Sequence, residues 1–103
     1  MLIVRSVNRV PVRLTNERWR HITSRHPEMS GQRDQVLETL VQPDMIQAGD
    51  SGELLAVRHW LRTPLSQKYM VVAFREINPT DGFVLTAYFT SQPSKARQVL
   101  WTR

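Results

Sequence analysis

Three histidines, four strand-associated cations and one row of hydroxyls are the residues of this chain equipped for chemistry. The histidines are His21, His26 and His59. His21 and His26 are five residues apart, about 140° around a helix, so they share no ligand face. With no cysteine and no His-Glu-x-x-His spacing, a protein-held metal is not expected, nor any other cofactor. The four glycines fall in turns and caps, so no phosphate-cradling loop is present, and no Gly-x-Ser-x-Gly marks a serine nucleophile. What remains is acid–base chemistry on an anion. His26 is its best carrier. It lies four residues after Ile22 and two turns after Trp19, on one helix side, at a helix C-terminus whose dipole favours imidazolium. From there it can act as general acid or base, or hold a phosphate. His21 falls on the opposite side with Arg18 and Arg25 and reads as a solvated residue. His59 reads as a cross-strand packing residue.

Among the cations, Arg58, Arg62, Lys68 and Arg75 stand in strands or at their ends. Arg58 and Arg62 share a face by parity if their strand extends that far. Guanidinium groups there suit a phosphate clamp and a pentavalent transition state. Thr86, Tyr88 and Thr90 are alternate positions of one strand, where hydroxyls can meet phosphate oxygens and a tyrosine ring can stack on a base. Trp60 serves equally as core residue or base platform. These assignments compete with plain surface roles, since threonine and tyrosine favour exposed strands.

The elements that must position these groups follow from hydrophobic periodicity. Leu2 to Leu14 reads as extended, and Pro11 makes it an edge or loose strand. Thr15 is an N-cap, Glu17 suits the first turn, and Leu14 with Trp19 forms a hydrophobic staple. The helix runs from Asn16 to Arg25 and stops before Pro27. Ser30 caps a second helix, about Gly31 to Val41, with Val36, Leu37, Leu40 and Val41 as its apolar stripe. Beyond Pro43 the period becomes two. Strands are expected over Asp44–Ala48, Glu53–Leu61, Lys68–Glu76, Phe83–Thr90 and Gln98–Trp101. Lys68–Glu76 is apolar enough to be central and covered on both faces. In Phe83–Thr90, parity puts Phe83, Leu85, Ala87 and Phe89 on one face and Val84, Thr86, Tyr88 and Thr90 on the other.

Helices first and strands after give an α+β class: two N-terminal helices packed on a four- to five-stranded antiparallel sheet. The length, 103 residues with 41 % hydrophobic, fits one domain over residues 1–103. The net charge of +5 points to a polyanionic partner, RNA or an acidic protein. No run of apolar residues reaches membrane-spanning length, the first nine residues are too polar for a signal peptide, and a cysteine-free chain fits the cytoplasm.

The string Leu14-Thr15-Asn16-Glu17-Arg18-Trp19-Arg20-His21-Ile22, followed by Arg25-His26-Pro27-Glu28, is joined by Val36-Leu37-Glu38-Thr39-Leu40, Pro43-Asp44-Met45-Ile46, Tyr69-Met70-Val71-Val72 and Gly82-Phe83-Val84-Leu85-Thr86-Ala87-Tyr88-Phe89-Thr90. In this order they resemble the phage and bacterial domains grouped with the barnase, EndoU, colicin-tRNase and RelE-like nucleases, over residues 10 to 101. The resemblance implies a barnase/RelE-like fold, RNA cleavage without a metal through the 2′-hydroxyl, and a toxin or phage-effector role with an acidic antitoxin or inhibitor as partner. It places His26 at the helix-end His-Pro-Glu, and Thr86 and Tyr88 in the final-strand Thr-Ala-Tyr; it leaves open which of Arg58, Lys68 and Arg75 is the basic residue. The resulting expectation is a metal-independent endoribonuclease. In it, His26, Arg58, Arg75, Thr86 and Tyr88 are catalytic, and Lys68, Arg62, Thr90 and Trp60 bind substrate. The alternative is a non-catalytic RNA- or protein-binding module of the same fold. A third reading is a structural domain of a larger phage protein.

Overall fold

Thr15 fixes where the first helix begins. In the computed structural model, which describes residues 1–103, its Oγ1 accepts from the Arg18 N–H at 3.0 Å. Helix α1 then spans Asn16–Arg25 and ends at His26, because Pro27 denies its predecessor the helical region. Pro27–Met29 forms one 3₁₀ turn. Gly31 follows with φ +80°, a left-handed conformation that breaks the chain before it can turn helical again. Helix α2 therefore starts at Arg33 and runs to Val41. Ser30 ends the 3₁₀ turn rather than capping α2, and Gln32 stands at the N-cap without a side-chain bond.

The strands are β1 Leu2–Arg5, β2 Pro11–Leu14, β3 Met45–Ala48, β4 Leu54–Trp60, β5 Lys68–Asn78, β6 Asp81–Thr90 and β7 Val99–Thr102. They form one seven-stranded sheet in the order β1-β2-β6-β5-β4-β3-β7. The expected class, two helices on four or five antiparallel strands, is thereby overturned: the sheet is larger and mixed, and strands precede the helices. The difference lies in residues 2–14. They are not one loose strand but a hairpin, β1 against β2, whose second strand lies parallel to β6 with Arg13 opposite Phe83. Pro11 is compatible with this because it occupies the first position of β2, where a missing N–H breaks no inner ladder bond. Ser6 and Asn8 of the hairpin turn bond the Glu76 carboxylate, and Arg13 pairs with Asp81. Gly82 permits the approach. A Cβ there would lie 2.6 Å from the Arg75 carbonyl oxygen and 3.1 Å from that of Pro11.

Both helices cover one face of the sheet. Ile22, Met29, Val36 and Leu40 pack with Val12, Leu14, Ile46, Ala56, Met70, Val72, Phe74, Val84 and Ala87 into the main core. Strand β5 is central, as its composition requires. Its alternate residues Val71 and Ala73 join Leu55 and Val57 in a second, smaller cluster on the opposite face. No helix covers that cluster. The chain leaving β6 must instead travel back across β5, β4 and β3 to reach β7, so Ser91–Gln98 crosses over this face.

One expected alternation also changes. The register between β5 and β6 shifts so that Ala73 faces Thr86 while Phe74 faces Val84. This bulge at Leu85 moves Val84 to the helix-covered face beside Ala87 and Phe89. Phe83 and Leu85 go to the other face with Thr86, Tyr88 and Thr90. A bulge inserts one unpaired residue and re-aims those around it. No helix of the fold is long and apolar enough to cross a membrane.

Candidate acid–base site on the uncovered sheet face

His26 comes to Tyr88 because α1 lies along the part of β6 that β2 does not pair. β2 and β6 meet only at Arg13 and Phe83. Beyond that point α1 takes the place of a strand: Arg18 Nη1 donates to the Leu85 carbonyl at 3.3 Å, using the oxygen the bulge frees. Two turns later the imidazole of His26 sits with its ring centroid 5.9 Å from that of Tyr88, tilted by 35°. Its side chain is 35 % exposed, open enough for proton exchange. Glu28 Oε1 lies 3.5 Å from His26 Nδ1. That pairing orients the ring and leaves Nε2 as the nitrogen available to a substrate.

Tyr88 is also a wall of a hollow of about 240 Å³ between β6 and the crossing segment, shared with Thr90, Gln47 and Arg97. The crossing segment is tied down at two points. Gln47, 3 % exposed, donates through Nε2 to the Ser94 carbonyl at 2.7 Å. Arg97 grips Asp50 with both terminal nitrogens, at 3.0 and 3.4 Å, and reaches the Ala48 carbonyl. Thr90 Oγ1 donates to the Gln92 carbonyl, so this hydroxyl shapes the exit from β6. The floor of the hollow is apolar, with Leu55 and Val71; the rims are polar and cationic. Such a concavity can seat a polar group at its rim while keeping bulk water off one side.

The other expected residues divide by face. His26 comes to Tyr88, and Thr86 and Thr90 flank Tyr88 on the same strand face. Arg75 stands on the same face but at the far end. It pairs with Phe83, while Tyr88 pairs with Val71, four residues or about 13 Å along the strand. Its Nη2 donates to the Ser51 carbonyl at 2.9 Å. There it also helps hold the Glu53 carboxyl below the ordinary glutamate range; the main cause is the hydrogen bond from the Ser51 N–H, then that from Glu53's own N–H. Arg58 is opposite Met70, on the helix-covered face. It is occupied there by Glu38 at 3.4 Å and by the ring of Trp60, 4.5 Å away. It does not reach the His26 site. Trp60 donates its Nε1–H to Thr39 Oγ1 at 3.1 Å on that same side, so it serves the fold. Arg62 is exposed beyond the end of β4. Lys68 Nζ bonds Ser91 Oγ at 2.8 Å, where the crossing segment leaves the sheet.

Periodicity does not reveal Arg97, because Ser91–Gln98 has no regular pattern to place it. Helical spacing puts Arg18 on the solvated side of α1, yet its guanidinium reaches the Leu85 carbonyl of β6. Gln47 did carry a signal: a lone amide in the strand Met45-Ile46-Gln47-Ala48 needs a partner if it is buried. Comparison with protein families, with curated proteins and with solved structures finds no match for this chain.

Proposed function

We propose that the protein is an endoribonuclease that cleaves by acid–base catalysis, with His26 and Tyr88 as the reacting pair. The observation that carries this reading is the imidazole of His26, part-exposed and set 5.9 Å from the ring of Tyr88, itself a wall of the hollow. The net positive charge supports a polyanionic substrate. His26 Nε2 takes the proton of an RNA 2′-hydroxyl. The 2′-oxygen bonds to phosphorus, the bond from phosphorus to the 5′-oxygen breaks, and that oxygen leaves with the Tyr88 hydroxyl proton. Proton transfer from His26 back to Tyr88 through water restores both groups. The products are a 2′,3′-cyclic phosphate and a free 5′-hydroxyl. Arg97, which lines the hollow, and Arg18, bonded to the Leu85 carbonyl of β6, supply positive charge in the part first expected of Arg58 and Arg75.

The test is incubation of the purified protein with single-stranded RNA in EDTA, with product ends identified by mass. Cleavage to cyclic phosphate ends is expected, falling about 10²- to 10⁴-fold in His26→Ala. Intact RNA, or cleavage at an unchanged rate in His26→Ala, rejects the proposal. Salt-sensitive RNA binding without cleavage would make the protein a binding module instead.

A further inference from the structure

One rung beyond Tyr88 the same face carries a second aromatic pair. Thr90 of β6 stands opposite Tyr69 of β5, and Tyr69 opposite His59 of β4. The His59 and Tyr69 rings lie 4.8 Å apart, tilted by 55°. Both residues are part-exposed. Tyr69 opens onto its own hollow of about 330 Å³, on the side of the crossing segment away from Tyr88. Gln47 and Arg97 line both hollows. Lys95 lines the second. Tyr88 and Tyr69 are diagonal neighbours on the sheet, about 7–8 Å apart, so a strand that passes over the crossing segment can reach both hollows.

A cross-strand aromatic pair alone would need no hollow beside it. Here the Tyr69 ring, with His59 packed against it, borders an open concavity lined by Lys95 and Arg97. That is the composition of a site in which an unpaired base stacks and its backbone is neutralised. The geometry points to Tyr69, supported by His59, as a nucleobase platform for a nucleotide of the bound strand that lies across the crossing segment from the one cleaved. The substrate is thereby single-stranded RNA, since a base held in a duplex cannot turn out onto the ring. This inference rests on the ribonuclease reading for its account of the neighbouring phosphate; its own test requires no cleavage.

The probe is a labelled 2′-deoxy oligothymidylate of six nucleotides, which lacks the 2′-nucleophile, followed by fluorescence anisotropy. Tyr69→Ala should weaken binding about 5- to 150-fold, the worth of one stacked base. Tyr69→Phe keeps the ring face and should hold affinity within about twofold. Tyr69→Leu preserves apolar bulk for folding and should still lose binding as the alanine variant does. A DNA duplex should bind more weakly than the single strand and show no dependence on Tyr69. Equal affinity of the parent, Tyr69→Phe and Tyr69→Leu proteins for the single strand overturns the platform, as does a duplex bound as tightly as the single strand. Failure of the ribonuclease reading is separately visible. Uncleaved RNA with ring-dependent binding ends that reading and leaves the platform standing, whereas His26-dependent cleavage without a Tyr69 effect ends the platform alone.

Discussion

The two faces of this sheet are built from alternate residues of the same strands, yet they do different work. On the helix-covered face, Phe74, Met70 and Val72 of β5 are fully buried against Ile22, Met29 and Leu40. On the other face, Val71 and Ala73 join only Leu55 and Val57, roofed by Leu85, Met45 and the two tyrosines. The first arrangement fills space with aliphatic bulk and uses its buried hydroxyl, Thr39, to bond Trp60 and the helix itself. The second is shallow, and its roof consists of amphipathic rings and a crossing segment held by a few polar bonds. Stability therefore concentrates on one side, and room for a ligand on the other.

Core truncations measure that asymmetry most directly. Phe74→Ala should cost about 3–5 kcal/mol, a large part of the 5–15 kcal/mol typical of a domain. Val57→Ala, equally buried but in the small cluster, should cost about 2 kcal/mol. Urea denaturation of the two variants gives both values. Equal losses, despite the larger side chain removed at Phe74, would mean that the small cluster is the more tightly packed of the two. Next in size is Gly82→Ala. Its Cβ meets backbone oxygens of both β5 and the β2 edge, neither of which can rotate away, so about 1–3 kcal/mol is expected. Hydrogen exchange should show β2 amides losing protection before those of β4 and β5.

How far the sequence reveals these faces depends on how local each determinant is. The limits of α1 follow from Thr15 and Pro27, neighbours that act on their own turn, and the placement of His26 relative to Ile22 follows from helical geometry. The central position of β5 is legible in its unbroken apolar run. The N-terminal hairpin is not, because Pro11 argues against a strand locally while the partners that hold it, Glu76, Asp81 and Phe83, come some 70 residues later. Nor is the bulge at Leu85, which depends on register with β5 and reverses the parity of Val84. Nor is the face of Arg58, because alternation along β4 separates its residues into two sets without saying which set meets the helices.

A smaller effect separates anchoring from covering. Arg97 and Asp50 tie the crossing segment to the turn before β4, but Asp50 is exposed. Arg97→Ala should then cost only about 0.2–1 kcal/mol in global stability. Its consequence should be local: faster amide exchange in Ser91–Gln98 and a weaker hold on RNA, with exchange in β5 unchanged. If β5 exchange accelerates equally, the crossing segment is part of the stabilising core and the contrast between the faces fails.

The smallest effect tests the turn beneath that anchor through its acidity. Glu53 is part-exposed, and its carboxyl is lowered chiefly by the Ser51 N–H, which donates to Oε1 at 2.8 Å, and further by Arg75. A group whose folded value lies below its unfolded value stabilises only when ionised. Its contribution is thus complete above about pH 4–5, the unfolded range, and fades as pH falls through the lowered folded value. Acidification should therefore release the Ser51 N–H. Since the same turn presents Asp50 to Arg97 and the Ser51 carbonyl to Arg75, the crossing segment should respond as well. In an NMR titration, the Ser51 and Ser94 amides should shift along the Glu53 titration, while those of Val36 and Leu40 on the helix side stay still. Glu53→Gln removes that step and leaves whatever Asp50 contributes. A Ser94 amide that titrates identically in both proteins would uncouple the turn from the crossing segment and leave Gln47 as its main anchor.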